Sequence, residues 1–412
     1  MAQSPVFTMI RDERMRQSGV INLTASESYA GEEIMSAVGS VFTNKYAEGY
    51  PGRRYYAGCE VADRLETYCC EKWQQVFQTD YHVNVQPHSG TNANLAAYLA
   101  VLDPSASHRK RILSLGLNDG GHLSHGHPAN LSGKLYNICH YGLDENGLLD
   151  YSALEDEIFK TMPDLILVGA SAYSRTIDFE RIDRIIRGCS TYLQADGHTD
   201  YKPVYMADIA HIAGLVAAGL HHSPFGYADI VTMTTHKTLC GPRGGLIFCR
   251  PELASKIDSA VFPGMQGGPM LHVIAGKALC AERVLTEGYR EVMTNVVQNS
   301  KAMAEEFRRL GYRIVSGGTD NHLFLLDLTD TGLTGREVER RLYHAGIAVN
   351  KNCIPGETRP PAQASGIRIG TMPMTELGYT RADFVALART IDKLIQTLKQ
   401  EKEDSHGTSG TL

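Results

Sequence analysis

Short apolar runs separated by longer amphipathic stretches set the organisation of this chain. The runs are Arg111–Leu115, Leu135–His140, Leu165–Val168, Val204–Ala207, Ile230–Met233 and Leu246–Cys249. Apolar runs of strand length alternating with helix-length segments predict a mainly parallel sheet built from right-handed crossover units. From Val61 to Phe77 the positions Val61, Leu65, Tyr68, Trp73 and Val76 or Phe77 recur at helical spacing, predicting an amphipathic helix with that face inward. Met1 to Glu48 reads as an arm: a short helix, the run Ile21–Thr24, then a helix over 32–39. After Gly267-Gly268-Pro269 the pattern changes. A long helix begins near Met270, breaks near Gly288 and resumes to Leu310. Strands are expected over Tyr312–Val315 and Leu323–Leu328, and helices over 336–345 and 381–398. The predicted organisation is therefore an arm (1–48), a large α/β domain (49–269) and a smaller α+β domain (270–412), hinged near Met270. From about residue 400 the sequence turns charged and then Ser-, Gly- and Thr-rich, which predicts a disordered tail.

A chain of 412 residues has room for two or three domains with a deep core. The net charge of −6 offers no basic footprint, so neither nucleic acid nor an anionic membrane is expected as a partner. No apolar run is long enough to span a bilayer, and the first residues lack the pattern of a secretory leader. The nine cysteines are scattered, with no C-x-x-C pair, and read as reduced thiols. Together these features point to the cytoplasm.

Candidate chemistry is concentrated at two strand ends. Lys237 lies in Thr234-Thr235-His236-Lys237-Thr238, directly after the Ile230–Met233 run. A lysine among hydroxyls and no carboxylates, at the mouth of a buried strand, is placed to lose its proton and act as an amine nucleophile. A lone lysine there also reads as a surface side chain. Asp208 ends the Val204–Ala207 run and precedes a segment of small residues, and a simple helix cap explains it equally well. In an open α/β sheet ligands bind beyond the carboxyl ends of strands, so both residues reach one crevice. An amine and a carboxylate so placed suit pyridoxal phosphate, whose aldehyde the lysine attaches and whose ring nitrogen the aspartate keeps protonated.

Asp208-Ile209-Ala210-His211-Ile212-Ala213-Gly214-Leu215-Val216 and the Lys237 segment resemble the serine hydroxymethyltransferase family. Asn44 to Tyr56, Gln86-Pro87-His88-Ser89-Gly90, Phe262 to Pro269 and Ser365-Gly366-Ile367-Arg368-Ile369-Gly370 agree in order. The likeness runs from about Leu23 to about Gly378. It implies a fold type I, aspartate aminotransferase-like architecture with a seven-stranded sheet, and a homodimer or dimer of dimers. It implies interconversion of serine and glycine, with tetrahydrofolate taking the one-carbon unit.

By this resemblance Lys237, Glu48, Asp208, His122 and Tyr56 are catalytic. Ser89, Gly90 and Thr91 hold the cofactor phosphate, where helix capping is the plain alternative. His122 stacks on the cofactor ring. Ser171, His211, Thr234 and His236 complete the pocket, and Tyr46, Gly267 and Gly268 enter from the second subunit. Ser26, Tyr56, Glu48 and Arg368 bind the substrate, Arg368 through its carboxylate. Tyr55, Leu117, Gly121, Leu123 and Asn352 face the folate. His122, His125 and His127 match no compact zinc signature, so ordinary loop histidines are preferred to a metal site.

Some positions depart from the family. Pro360-Pro361-Ala362-Gln363-Ala364 stands where the family has Ser-Pro-Phe-Val-Thr, Asp119 where it has histidine, and Ser28 where it has asparagine. These bear on the acceptor. They keep open a folate-independent aldolase or transaldolase, or a transferase for α-substituted serine. A catalytically silent binding or scaffold homologue is the alternative of another class.

Overall fold

A computed structural model of the chain describes residues 4–407. The chain divides into two compact units: Ser28–Thr294, and the segment up to Glu27 together with the segment from Asn295 onward. The boundaries expected at 48 and 269 both fall inside the first of these. Helix Leu271–Val284 packs on helices Glu32–Val38 and Glu60–Phe77, which ties it to the larger unit. The approach is close: a Cβ on Gly276 would lie 3.0 Å from side-chain atoms of both Val38 and Pro242.

The larger unit is built on a seven-stranded sheet. Its spatial order is His82–Asn84, Gly245–Cys249, Ile230–Thr234, Val204–Asp208, Leu165–Val168, Arg111–Leu115, Asn137–Tyr141. Gly245–Cys249 pairs antiparallel with both of its neighbours, and the remaining pairings are parallel. Strands Leu165–Val168, Ile230–Thr234 and Gly245–Cys249 are buried along their whole length, as expected for a sheet covered on both faces. One face packs an apolar core that includes Ala93, Ala97, Tyr98, Ile112, Leu167, Met206, Ile247 and Ile257. All six expected strands are present within two residues at each end. The edge strand His82–Asn84 was not expected, being too short and polar to show a period.

The amphipathic helix forms over Glu60–Phe77, but its buried face is Ala62, Glu66, Cys69, Trp73, Val76 and Phe77. Val61 and Tyr68, expected inward, are exposed. The face is rotated by one residue because Glu66 is drawn inside by a buried arginine, described below.

The smaller unit holds a three-stranded antiparallel sheet, in the order Leu323–Asp327, Gly366–Gly370, Asn350–Asn352. Helix Gly335–His344, opened by a Thr334–Glu337 capping box, packs against helix Arg381–Gly407. Phe307, Phe324, Leu342, Phe384 and Ile391 centre its core. The two-residue strand Ile21–Asn22 pairs parallel with Ile347–Ala348.

Two expectations are corrected here. Tyr312–Val315 is not a strand: Ile314 makes one antiparallel bridge to Leu326, and the positive φ of Ser316 and Gly317 ends the extended run. The tail expected to be disordered from about residue 400 is helical to Gly407, and its last residues lie outside the described part. Among the described residues no helix is long and apolar enough to cross a membrane.

Candidate active site

Strands Val204–Asp208 and Ile230–Thr234 run parallel with Asp208 opposite Thr232, so their carboxyl ends open on one edge of the sheet. The loops that leave them are cross-linked. Thr238 Oγ1 donates to the His211 carbonyl at 3.0 Å and accepts from the Gly214 amide at 3.0 Å. Tyr289 Oη donates to the Thr238 carbonyl at 2.8 Å. Thr235 Oγ1 donates to the Pro242 carbonyl at 2.6 Å, and the Cys240 amide to the Lys237 carbonyl at 2.9 Å. Lys237 is therefore a buried amine on a fixed loop. Thr234 donates to the Ala210 carbonyl at 3.3 Å. Burial, with Arg243 and Lys237 nearby, pushes the His236 pKa down to about 3, so this imidazole is neutral at physiological pH. Ser28 Oγ donates to the His236 carbonyl at 3.1 Å.

Asp208 is buried at the strand end. Burial alone would raise its pKa. The hydrogen bonds from His125 Nε2 at 2.9 Å and from the Asn94 amide at 2.8 Å outweigh burial and hold the carboxyl below the usual carboxylate range. The partners are themselves fixed. The His122 amide donates to His125 Nδ1 at 3.3 Å, which leaves the ring proton on Nε2, facing Asp208. Asn94 accepts from Thr232 Oγ1 at 2.6 Å and donates to Ser124 Oγ at 2.9 Å. His125, read from sequence as an ordinary loop histidine, is thus bonded to the candidate catalytic carboxylate. Asn94 and Thr232 were missed altogether. Their signal is a polar residue interrupting an apolar run, Ala93-Asn94-Leu95 and Val231-Thr232-Met233.

Helix Gly90–Val101 starts beside these strand ends. Ser89 caps it, accepting from the Asn92 amide at 3.2 Å and donating to Asn92 Oδ1 at 2.7 Å. The capping alternative is therefore realised, and it leaves the helix's positive end at Gly90 and Thr91. A Cβ on Gly90 would fall 2.6 Å from Thr234 Cγ2, and one on Gly245 2.3 Å from the Ser89 carbonyl. The helix start is pressed into a cradle that admits backbone only. His122 is half-buried, and its Nδ1 accepts from the Ser124 amide at 3.1 Å. Ser171 donates its amide to the Gly120 carbonyl at 2.7 Å, within the same loop cluster. There a Cβ on Gly121 would sit 2.2 Å from the Leu115 carbonyl, while Leu117 and Leu123 on either side are exposed.

Tyr46, Glu48, Tyr56, Gly267 and Gly268 form a second cluster within the same chain. A Cβ on Gly267 would lie 3.2 Å from Glu48 Oε1, and one on Gly268 3.0 Å from the Tyr46 ring. The Tyr46 and Tyr56 rings lie 5.0 Å apart. Tyr46, Tyr55 and Tyr56 are 53%, 74% and 46% exposed. The backbone beneath them is nonetheless clamped. Arg54 Nη1 donates to the carbonyls of Ala47 at 2.9 Å and Gly49 at 2.8 Å, which flank Glu48. Its Nη2 pairs with Glu66 at 2.7 Å and its Nε with Asp63 at 2.8 Å. Both the Arg54 and Glu66 side chains are 3% exposed. Gln86 Nε2 bridges Glu66, at 2.8 Å, to the Gly49 carbonyl, at 3.0 Å.

In the smaller unit Arg368, which the preceding Ser365-Gly366 pair places after a turn when read from sequence, sits in the middle of strand Gly366–Gly370. Its Nε donates to Asn350 Oδ1 at 3.1 Å and its Nη2 to Ser26 Oγ at 3.5 Å. Burial lowers its pKa to about 10, and it stays cationic at neutral pH. The Ser26 segment is held on this strand by the Gly370 amide, which donates to the Leu23 carbonyl at 2.8 Å. Asn352 lies on the neighbouring strand of the same sheet.

A buried lysine, a carboxylate kept ionised and a helix start packed too closely to admit a side chain at Gly90 or Gly245 are the set that a phosphorylated pyridine aldehyde needs, so the residues fit pyridoxal phosphate. A family model described as serine hydroxymethyltransferase matches residues 1–391. A serine hydroxymethyltransferase of Coprothermobacter proteolyticus is 50% identical over 398 residues, covering 96% of this chain and 92% of that protein.

Because the Asp208 pKa is depressed, its contribution to stability is present above the unfolded value of about 4 and is lost as pH falls toward the folded value. In His125→Ala, burial dominates and that loss begins at higher pH. The acid-unfolding midpoint followed by circular dichroism therefore moves upward. Glu66→Ala takes from the buried Arg54 its Nη2 partner, leaving Asp63 alone to balance the charge, and lowers unfolding free energy by about 3 kcal/mol in denaturant titration. Arg54→Met combined with Glu66→Leu costs less than the sum of the two single changes.

Proposed function

The chain belongs to the serine hydroxymethyltransferase family, and from that premise we propose the roles of its residues, its one-carbon acceptor and its assembly. The protein is a pyridoxal phosphate-dependent enzyme that interconverts serine and glycine. Pyridoxal phosphate, when bound, supplies the electron sink into which a bond at the amino acid's Cα breaks. Lys237 would tether it through its amine. Asp208, ionised, would hold the proton on the ring nitrogen, with His125 and Asn94 keeping the carboxylate ionised. His122 would lie against the ring. Ser89, Gly90 and Thr91 bind the phosphate, and Ser171, Thr234, His211 and His236 close the pocket. Arg368 and Ser26 take the substrate carboxylate, an orientation effect that selects which Cα bond breaks. Glu48, with Tyr56, moves the proton at the substrate hydroxyl.

Tyr46, Tyr56, Glu48, Gly267 and Gly268 serve the site of a second copy of the chain. The observation that carries this assignment is the pairing of exposed tyrosines with a backbone locked by a buried arginine, a surface built before anything covers it. Tetrahydrofolate is the acceptor, met by Tyr55, Leu117, Gly121, Leu123 and Asn352. Support comes from Leu117 and Leu123, exposed on either side of a backbone too tight for a Cβ. The enzyme works in the cytoplasm, a reading that rests on its unpatterned cysteines. One observation favours a different acceptor. In the loop that departs from the family, the amides of Gln363 and Ala364 both donate to the Pro360 carbonyl, forming a turn without the usual aromatic.

Serine cleavage is expected to need tetrahydrofolate, and full activity without it points to the aldolase alternative. Glu48→Gln lowers kcat by about 10²–10⁴-fold. Mixing inactive Lys237→Ala and Glu48→Gln chains restores activity at about a quarter of the sites, because each mixed dimer holds one intact composite site. No restoration means that Glu48 acts within its own chain.

A further inference from the structure

One buried ammonium has no part in the chemistry above. Lys277, in helix Leu271–Val284, is 1% exposed. Its Nζ donates to the carbonyls of Val85 at 2.6 Å, Gly245 at 2.9 Å and Pro87 at 3.0 Å. These carbonyls belong to the two backbone stretches that shape the cradle: residues 85–89, leading into helix Gly90–Val101, and residues 244–245, pressed against Ser89. An ammonium has three N–H donors, and here each has a carbonyl. Lys277 therefore has no donor left for a ligand. Neutral lysine has two donors and a lone pair, so losing the proton or the side chain takes a donor from at least one of these buried carbonyls, of which Pro87 also accepts from the Gly245 amide at 3.0 Å.

The surroundings are built around this charge. A Cβ on Gly244 would fall 2.4 Å from Lys277 Cε and 3.0 Å from Nζ. Gln266 secures the same loop from another side, its Nε2 donating to the Gln86 carbonyl at 3.1 Å and its Oε1 accepting from the His88 amide at 3.1 Å. Burial lowers the pKa of Lys277 to about 8, while Cys69, Glu66 and Cys70 oppose the shift. Its positive charge adds to burial in lowering His88, and contributes at His236, so its field reaches residues 85–89 and the loop that carries Lys237.

We propose that Lys277 is a positioning residue for the cofactor phosphate: a built-in cation that draws three carbonyls inward, fixes residues 85–89 and 244–245 in the shape that receives the dianion, and favours that charge without touching it. The inference rests on reading Ser89 and Gly90 as the phosphate cradle.

The test compares affinities of the full-length apoenzyme for pyridoxal phosphate and for pyridoxal, which lacks the phosphate, by absorbance titration. In wild type the phosphate is expected to confer a large preference. Lys277→Met reduces that preference by about 10–100-fold, with pyridoxal affinity little changed. Lys277→Gln, which keeps a donor but not the charge, gives the same loss and serves if the Met variant does not fold. In Lys277→Ala, added ethylammonium restores part of the preference. A variant that keeps the full preference, or that loses affinity for both ligands equally, overturns the proposal. A wild type with no preference for the phosphate instead overturns the cradle reading itself.

Discussion

A negative charge held inside the protein is the constraint on which the rest of the site depends. The Asp208 carboxylate lies at a buried strand end, where an isolated anion would take up a proton. It stays ionised because His125 and Asn94 reach it from two other segments, each set by a further bond. The His122 amide fixes the His125 tautomer, and Thr232 orients Asn94. Removing any one of these groups weakens the hold on the ionised form, not merely a contact. The parallel strands, the helix starting at Gly90 and the tight glycines around residues 120–121 exist in the arrangement that lets four separated segments meet at one carboxylate.

The same economy recurs at the loop carrying Glu48. Its exposed tyrosines rest on a backbone secured from below by Arg54, itself held by Glu66 and Asp63. Such a buried pair gains little net stability over apolar packing, so its presence is better explained by the geometry it enforces. Firm backbone under solvent-facing rings is the arrangement of a preorganised binding surface.

Much of this was legible in the sequence, and the reasons for the gaps are physical. The six expected strands are apolar runs whose neighbours supply enough contrast to mark them. Asp208 and Lys237 were visible because one ends such a run and the other follows close behind one. What escaped is pairing across sequence distance. Glu66 falls outside the apolar face that the helical period marks, and its burial is explained by Arg54 and Gln86. Arg368 reads as following a Ser-Gly turn, but antiparallel partners on both sides make it the middle of a strand. His82–Asn84 and Asn350–Asn352 are three-residue strands rich in polar side chains, too short for alternation to register. Composition near residue 400 resembled disorder, yet the helix continues to Gly407.

Arg54 grips Ala47 and Gly49 by their carbonyl oxygens, a feature every residue shares. The clamp therefore acts on the path of the loop and not on the side chains it displays. Apart from Arg54 itself, Glu48 and Gly49, whose φ of +96° and a Cβ position 2.4 Å from the Arg53 carbonyl demand glycine, exposed side chains of this loop can change one at a time while the scaffold beneath keeps its course. The segment behaves as an evolvable module, in which new substrate preferences arise without a new fold.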